Sequence, residues 1–196
     1  MKKILAFILG LVVVGSFSGC VDTTDYAAKG DSYLSQGRYD MAILNYNKAL
    51  NSPILNTVSK AEIYDNRGHA LEQLEMYNES LDSYVTAYQN APNNVDIICD
   101  VGNILLKLGR YDESLQFFEK ALLLKPETEE ALLGKAILLQ VSGDYAQASR
   151  YYDEVLILNE NNTNALYNKA LVLQKLGQYS EANIYIEKAE EVKNSQ

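Results

Sequence analysis

The chain has no tryptophan, one histidine, two cysteines and three prolines in 196 residues. Each shortage removes a class of chemistry. A lone histidine, His69, cannot build a paired-histidine zinc motif and leaves little scope for a Ser-His or Cys-His nucleophile pair. With the other cysteine at position 20, Cys99 has no partner for an internal disulfide, so stability must come from packing. Cys99 itself reads as a small buried hydrophobe. Few prolines, eleven glycines and no polar low-complexity tract leave little room for disorder. No β-branched alternation bounded by hairpin turns marks a strand, and no glycine-rich phosphate loop follows one. Basic residues do not cluster beyond Lys2 and Lys3, and the net charge is −9. Phosphate binding needs cations that displace counterions, which excludes nucleic acid as a partner. Anionic headgroups would be repelled for the same reason, so any membrane attachment must be hydrophobic or covalent. The pairs Glu129-Glu130 and Glu190-Glu191 read as solvated helix faces rather than a catalytic dyad. These residues therefore predict a protein that is not an enzyme, with no catalytic residue, metal, cofactor or small-molecule substrate.

The first twenty residues, MKKILAFILGLVVVGSFSGC, place two lysines before an apolar run from Ile4 to Val14 and then small residues up to Cys20. Eleven apolar positions are too few to span a bilayer, which needs about 20. The order is that of an export signal. Ser18-Gly19-Cys20 resembles the lipobox of prokaryotic lipoproteins, with Phe17 where that pattern usually carries an aliphatic residue. The resemblance implies removal of residues 1–19, diacylation of Cys20, a short tether over 20–22, and an extracytoplasmic location on a prokaryotic membrane. Two acyl chains would hold the protein stably.

What the rest of the chain has in quantity is a phrase. It reads QGRYDMAILNYNKAL, EMYNESLDSYVTAY, LGRYDESLQFFEKAL, SGDYAQASRYYDEVL and LGQYSEANIYIEKAE. The anchoring residues Tyr39, Tyr77, Tyr111, Tyr145 and Tyr179 are separated by 38, 34, 34 and 34 positions. A second amphipathic segment precedes each phrase, with apolar residues at three- and four-residue spacing, as in Ile98, Val101, Leu105 and Leu108. Each unit is therefore a helix A, a tight turn and a helix B. Gly37, Gly109, Gly143 and Gly177 fit the turn, where a left-handed residue ends helix A. Glu75 stands there in the second unit, which predicts a strained or reshaped turn. The four additional residues around Asn51–Lys60 read as a lengthened connection. Leu122–Leu124 and Leu156–Leu158 become Glu190-Glu191-Val192 in the last unit, as suits a terminal helix with no following neighbour.

This pattern resembles the tetratricopeptide repeat, a 34-residue helix-turn-helix. Its small residue in helix A matches Gly30, Gly68, Gly102, Ala136 and Ala170. The small residue in helix B matches Ala42, Ser80, Ser114, Ala148 and Ala182, followed by the bulky Tyr46, Tyr84, Phe118, Tyr152 and Ile186. The resemblance covers residues 23–196 in units of roughly 23–56, 61–94, 95–128, 129–162 and 163–196. It implies an all-α solenoid with a right-handed superhelical twist.

The same resemblance implies a concave groove lined by the second, fifth, ninth and twelfth positions of each unit. Those positions give Asp31, Glu62, Asp65, His69, Glu72, Asp96, Cys99, Asn103 and Leu106 in the first three units. Leu133, Ile137, Gln140, Tyr167 and Leu171 follow in the last two. The first half is acidic and the second largely apolar, which suits a peptide or helix of another protein that is basic or amphipathic. Position five carries no cation in any unit, so the carboxylate-clamp subtype is not expected. A membrane-anchored interaction scaffold, of the kind that assists assembly of envelope complexes, is the function implied. The alternative is a non-catalytic accessory subunit of an envelope hydrolase or protease.

Overall fold

A computed structural model of the chain describes residues 23–51 and 57–195. The signal-like segment 1–19, Cys20 and the tether 20–22 lie outside the described residues, as do 52–56. Ten α-helices and no strand occur among the described residues. They run as pairs: α1 (Thr23–Ser35) with α2 (Tyr39–Leu50), α3 (Thr57–Gln73) with α4 (Tyr77–Asn90), and α5 (Val95–Lys107) with α6 (Tyr111–Leu124). The series continues with α7 (Glu129–Ser142) and α8 (Tyr145–Leu158), then α9 (Thr163–Lys175) and α10 (Tyr179–Asn194). Every helix B begins on one of the five repeated tyrosines.

The turns between A and B are built alike. Gly37, Gly109, Gly143 and Gly177 take φ between 70° and 86°. The next residue donates its N–H back to the carbonyl five positions earlier, as in Arg38 to Tyr33 at 2.9 Å and Gln178 to Leu173 at 2.9 Å. That closure satisfies carbonyls that helix A would otherwise leave open. Glu75 does not reshape its turn. It takes φ 59°, and Met76 still donates to the Leu71 carbonyl at 3.0 Å. The strain of a left-handed side-chain-bearing residue, about 1–2 kcal/mol, falls on Glu75 itself.

The four additional residues of the 38-residue step enter a helix rather than only a loop. α3 starts at Thr57 and runs 17 residues, where α1, α5 and α9 have 13. Among its first residues Val, Ser and Lys follow Thr57 without a proline, so nothing in that stretch stops the helix from extending backward.

Inside each of the first four units the small residue of helix A receives the bulky ring of helix B, and Ile186 stands there in the fifth. Tyr46, Tyr84, Phe118 and Tyr152 are fully buried. A Cβ on Gly30 would lie 2.4 Å from the Tyr46 ring, and on Gly68 it would lie 2.6 Å from the Tyr84 ring. Phe118 is held from both sides: a Cβ on Gly102 would come within 2.7 Å, and one on Gly134 of the next unit within 2.3 Å. The buried hydroxyls of Ser80 and Ser114 donate to the carbonyls of Gly68 and Gly102 at 2.9 and 2.7 Å, so these polar side chains cost little at the closest helix approach.

Successive units are also pinned by basic residues at the seventh position of helix A. Lys135 reaches Glu119 of the preceding unit at 2.9 Å and lies over the Tyr151 ring. Lys169 is nearly fully buried, bonded to Asp153 of the preceding unit and, at 2.6 Å, to the Tyr185 hydroxyl. Burial alone would lower its pKa, but these two hydrogen bonds outweigh it and raise the value.

At the C-terminal end Glu190 takes the place where Leu122 and Leu156 pack against the core. Leu123 and Ile157, read from the sequence as part of the same packed triplets, are instead 84% and 82% exposed. A triplet covers more than half the circumference of a helix, so one of its three residues must face away.

The A helices approach most closely in succession, α1 with α3, α5 with α7 and α7 with α9, whereas the B helices α4 and α6 meet only through long side chains, as where Tyr88 packs edge-on against Phe117. Helix A therefore lines the inner side of the stack. Between α3 and α5 the contact is made by polar side chains, Glu72 with Lys107 and His69 with Asp100. Substituting Gly134 with Ala should cost about 1–3 kcal/mol, because a clamped ring has no empty side to move into. Urea unfolding of the variant checks this, and an unchanged midpoint would contradict the two-sided clamp.

Candidate functional site

Helix A carries the residues that face the inner side, and the buried rings of helix B reach through to them. The Tyr46 hydroxyl donates to Asp31 at 2.8 Å, and Asn66 of the next unit donates to the same oxygen at 3.0 Å. The Tyr152 hydroxyl donates to Gln140 at 2.7 Å. Tyr84 bonds two groove residues at once, Glu72 and His69 Nδ1, each at 2.8 Å. Burial first, then the charges of Asp100 and Glu72, push the Tyr84 phenol well above its ordinary value. The hydroxyl is therefore a fixed neutral group and not a titrating one.

Between α3 and α5 lies a compact polar cluster. His69 Nε2 stands 3.7 Å from Asp65 Oδ2 and 3.7 Å from Asp100 Oδ2. Lys107 pairs with Glu72 at 2.6 Å. Asn103 bonds Glu130 of the next unit. Asp65 and Asp100 retain only 20% and 15% of their side-chain exposure, while His69 keeps 42%. Burial, followed by the charges of Asp65 and Glu130, pushes the Asp100 carboxyl up to about 9. Asp65 is raised too, mainly by burial, with His69 opposing. Asp65 and Asp100 also share a side-chain hydrogen bond, in which the protonated Asp100 carboxyl donates and Asp65 accepts.

The expected groove positions are distributed as follows. Asp65, His69 and Glu72 come together on α3. Glu62, Asp96 and Glu130 are exposed nearby at the second position of their repeat units, and Asp31 is exposed on α1. Leu106, Leu133 and Ile137 are half-buried, each with one side against the core beneath. Gln140 and Tyr167 are half-buried and Leu171 is 50% exposed. Cys99 is not a groove residue. It is fully buried beside Ile98 and Phe118, and burial pushes its thiol up to about 12, so it is neither a ligand nor a nucleophile. Asp100, one residue on, takes the inner position instead. The sixth position also supplies Asn66, so the ninth position of one unit meets the sixth of the next. The signal for Asp100 was present in VDIICDVGNILLK, where it is a charge amid an otherwise apolar stretch.

Two segments, residues 26–52 and 66–131, match family models described as tetratricopeptide repeat. The repeats are of the tetratricopeptide kind. Residues 107–189 match the model described as anaphase-promoting complex, cyclosome, subunit 3. No curated protein matches the chain. Among solved structures, MamA 41-end from Desulfovibrio magneticus RS-1 superposes with a TM-score of 0.76 at 16% identity, covering 89% of this chain and 96% of that one. A crystal structure of MamA protein gives 0.72 at 19% identity, covering 88% and 92%. The MSR-1 form of MamA gives 0.68 at 18%, covering 88% and 97%. At these identities the likeness carries the fold. The tetratricopeptide solenoid supports a role in binding another protein.

Because Asp100 holds in the folded state a proton that the unfolded chain releases near pH 4, stability should fall as pH rises from about 4 to about 9. The slope from one such group has a ceiling of about 1.4 kcal/mol per pH unit. Asn supplies the N–H that the protonated acid would, so Asp100→Asn should flatten this dependence and raise the thermal midpoint at pH 8 in chelator-containing buffer. Parallel pH profiles for wild type and variant would refute the shift.

Proposed function

We propose that the chain is an exported scaffold, held to a membrane by lipidated Cys20, that grips a basic or amphipathic segment of a partner protein along its helix-A side. The observation behind this reading is the distribution of charge. Asp31, Glu62, Asp96 and Glu130 are exposed on α1, α3, α5 and α7, while Leu133, Ile137, Tyr167 and Leu171 continue the same side on α7 and α9. A segment with a cationic end and an apolar end matches that order. The charged half would steer encounter and fix register, and the apolar half would slow departure. Rigid A helices, held by rings beneath, present these residues without an ordering cost. Envelope-complex assembly is the setting that an anchored, non-catalytic adaptor of this size fits.

Two measurements test the parts separately. Captured from membranes in mild detergent, the wild-type chain should retain a reproducible partner whose binding weakens with salt. Charge reversal at the exposed positions Glu62→Lys and Asp96→Lys should slow association about tenfold or more. No reproducible partner, or an unaffected one, would end the groove reading. For the anchor, Cys20→Ala should move the protein out of the membrane fraction or leave an unprocessed precursor, and mass spectrometry of the mature N-terminus should show the acylated cysteine. A soluble wild-type protein would remove the anchor and leave the groove untouched.

A further inference from the structure

The cluster between α3 and α5 has a feature that a peptide groove does not require. A Glu72 carboxylate accepts only, and its other oxygen accepts from the Lys107 ammonium at 2.6 Å. Tyr84 must therefore give its single proton to Glu72, at 2.8 Å. His69 Nδ1, also 2.8 Å from that hydroxyl, is left as the donor. With that proton on Nδ1, the neutral ring carries its lone pair on Nε2, the form in which an imidazole binds a metal ion. That lone pair faces the two carboxylates from α3 and α5.

We propose that Asp65, His69 and Asp100 form a binding site for one divalent transition-metal cation of the Zn2+ or Co2+ kind, held between α3 and α5. The three donor atoms lie within 4.8 Å of one another. The two 3.7 Å separations from Nε2 are too long for hydrogen bonds. They suit two ligands of one ion: bonds of about 2.0–2.1 Å would subtend roughly 125–135° at the metal, and a small inward shift of either carboxylate brings this to the tetrahedral angle. Imidazole with two carboxylates favours zinc-like ions over magnesium or calcium, which prefer all-oxygen shells. The Tyr84 hydroxyl, receiving the Nδ1 proton, and Glu72 behind it are the outer partners that orient a ligating histidine. Two carboxylates and a dication balance in charge. The exposure of His69 leaves coordination positions open to water or to a donor from a bound partner.

The full chain, purified in mild detergent and stripped with chelator, is titrated with CoCl2 and ZnCl2 by calorimetry and by Co2+ ligand-field absorption. One equivalent should bind, and Zn2+ should raise the thermal midpoint. His69→Gln and Asp100→Asn should each weaken binding more than about 100-fold, and Tyr84→Phe about tenfold. Tyr84→Phe places in unit two the ring that unit three already carries at Phe118, and Asp100→Asn replaces a carboxyl by a neutral amide of the same shape, so both variants should fold. Glu62→Gln, an exposed acid on the same helix, should bind as wild type. A dissociation constant weaker than about 100 µM would overturn the site. So would equal losses in Glu62→Gln, which would mean diffuse attraction to acidic surface. Retained affinity in both ligand variants would overturn it as well. The site stands or falls independently of any protein partner.

Discussion

The structure depends on a ring meeting a residue that has no side chain. At the eighth position of helix A in the first three units, glycine lets the fully buried aromatic of helix B approach to where a Cβ would stand. This contact fixes the distance and angle between the two helices of a unit. Because Phe118 is also pressed by Gly134, it helps fix the next unit as well. Dense contact of this kind leaves no slack, so the positions of the outward-facing residues follow from it.

A phenol in that place does two tasks that phenylalanine cannot. Its ring fills the core, and its hydroxyl emerges beneath the inner surface as a hydrogen-bonding anchor. Asp31, His69, Glu72 and Gln140 are each held this way by a tyrosine beneath them. Unit three has Phe118, and there Asn103 is free to bond across to Glu130 instead. Units differ in function through one oxygen atom while sharing a common packing scheme.

Periodicity made most of this architecture legible. Repeated tyrosines marked every start of helix B, and glycine marked four of the five turns. Glu75 was legible as an exception but not in its outcome, because the closing hydrogen bonds of the turn outweigh the strain at one residue. The lengthening of α3 was less visible, since helix and loop are hard to separate where no proline or glycine intervenes. Counting positions named Asp65, His69 and Glu72, which lie together on α3, and named Cys99, which is buried while its neighbour Asp100 faces His69. A one-residue step rotates a side chain by about 100° on a helix, and which of two neighbours turns inward depends on packing against the adjacent unit. Asp65 and Asp100 are 35 residues apart, and only the stacking of α3 on α5 brings them together. Tetratricopeptide positions describe one unit, so a cluster assembled across a seam escapes them.

Each pair of helices touches only the pairs beside it. Order can therefore nucleate in any neighbourhood and spread along the ribbon, without the long loop closures that slow sheet proteins. The two extremities have one neighbour each and should exchange their amide hydrogens soonest, with protection rising toward α5, α6 and α7. The acidic stretch thus straddles the slowest-opening part of the molecule, and fraying of α10 would leave its geometry intact.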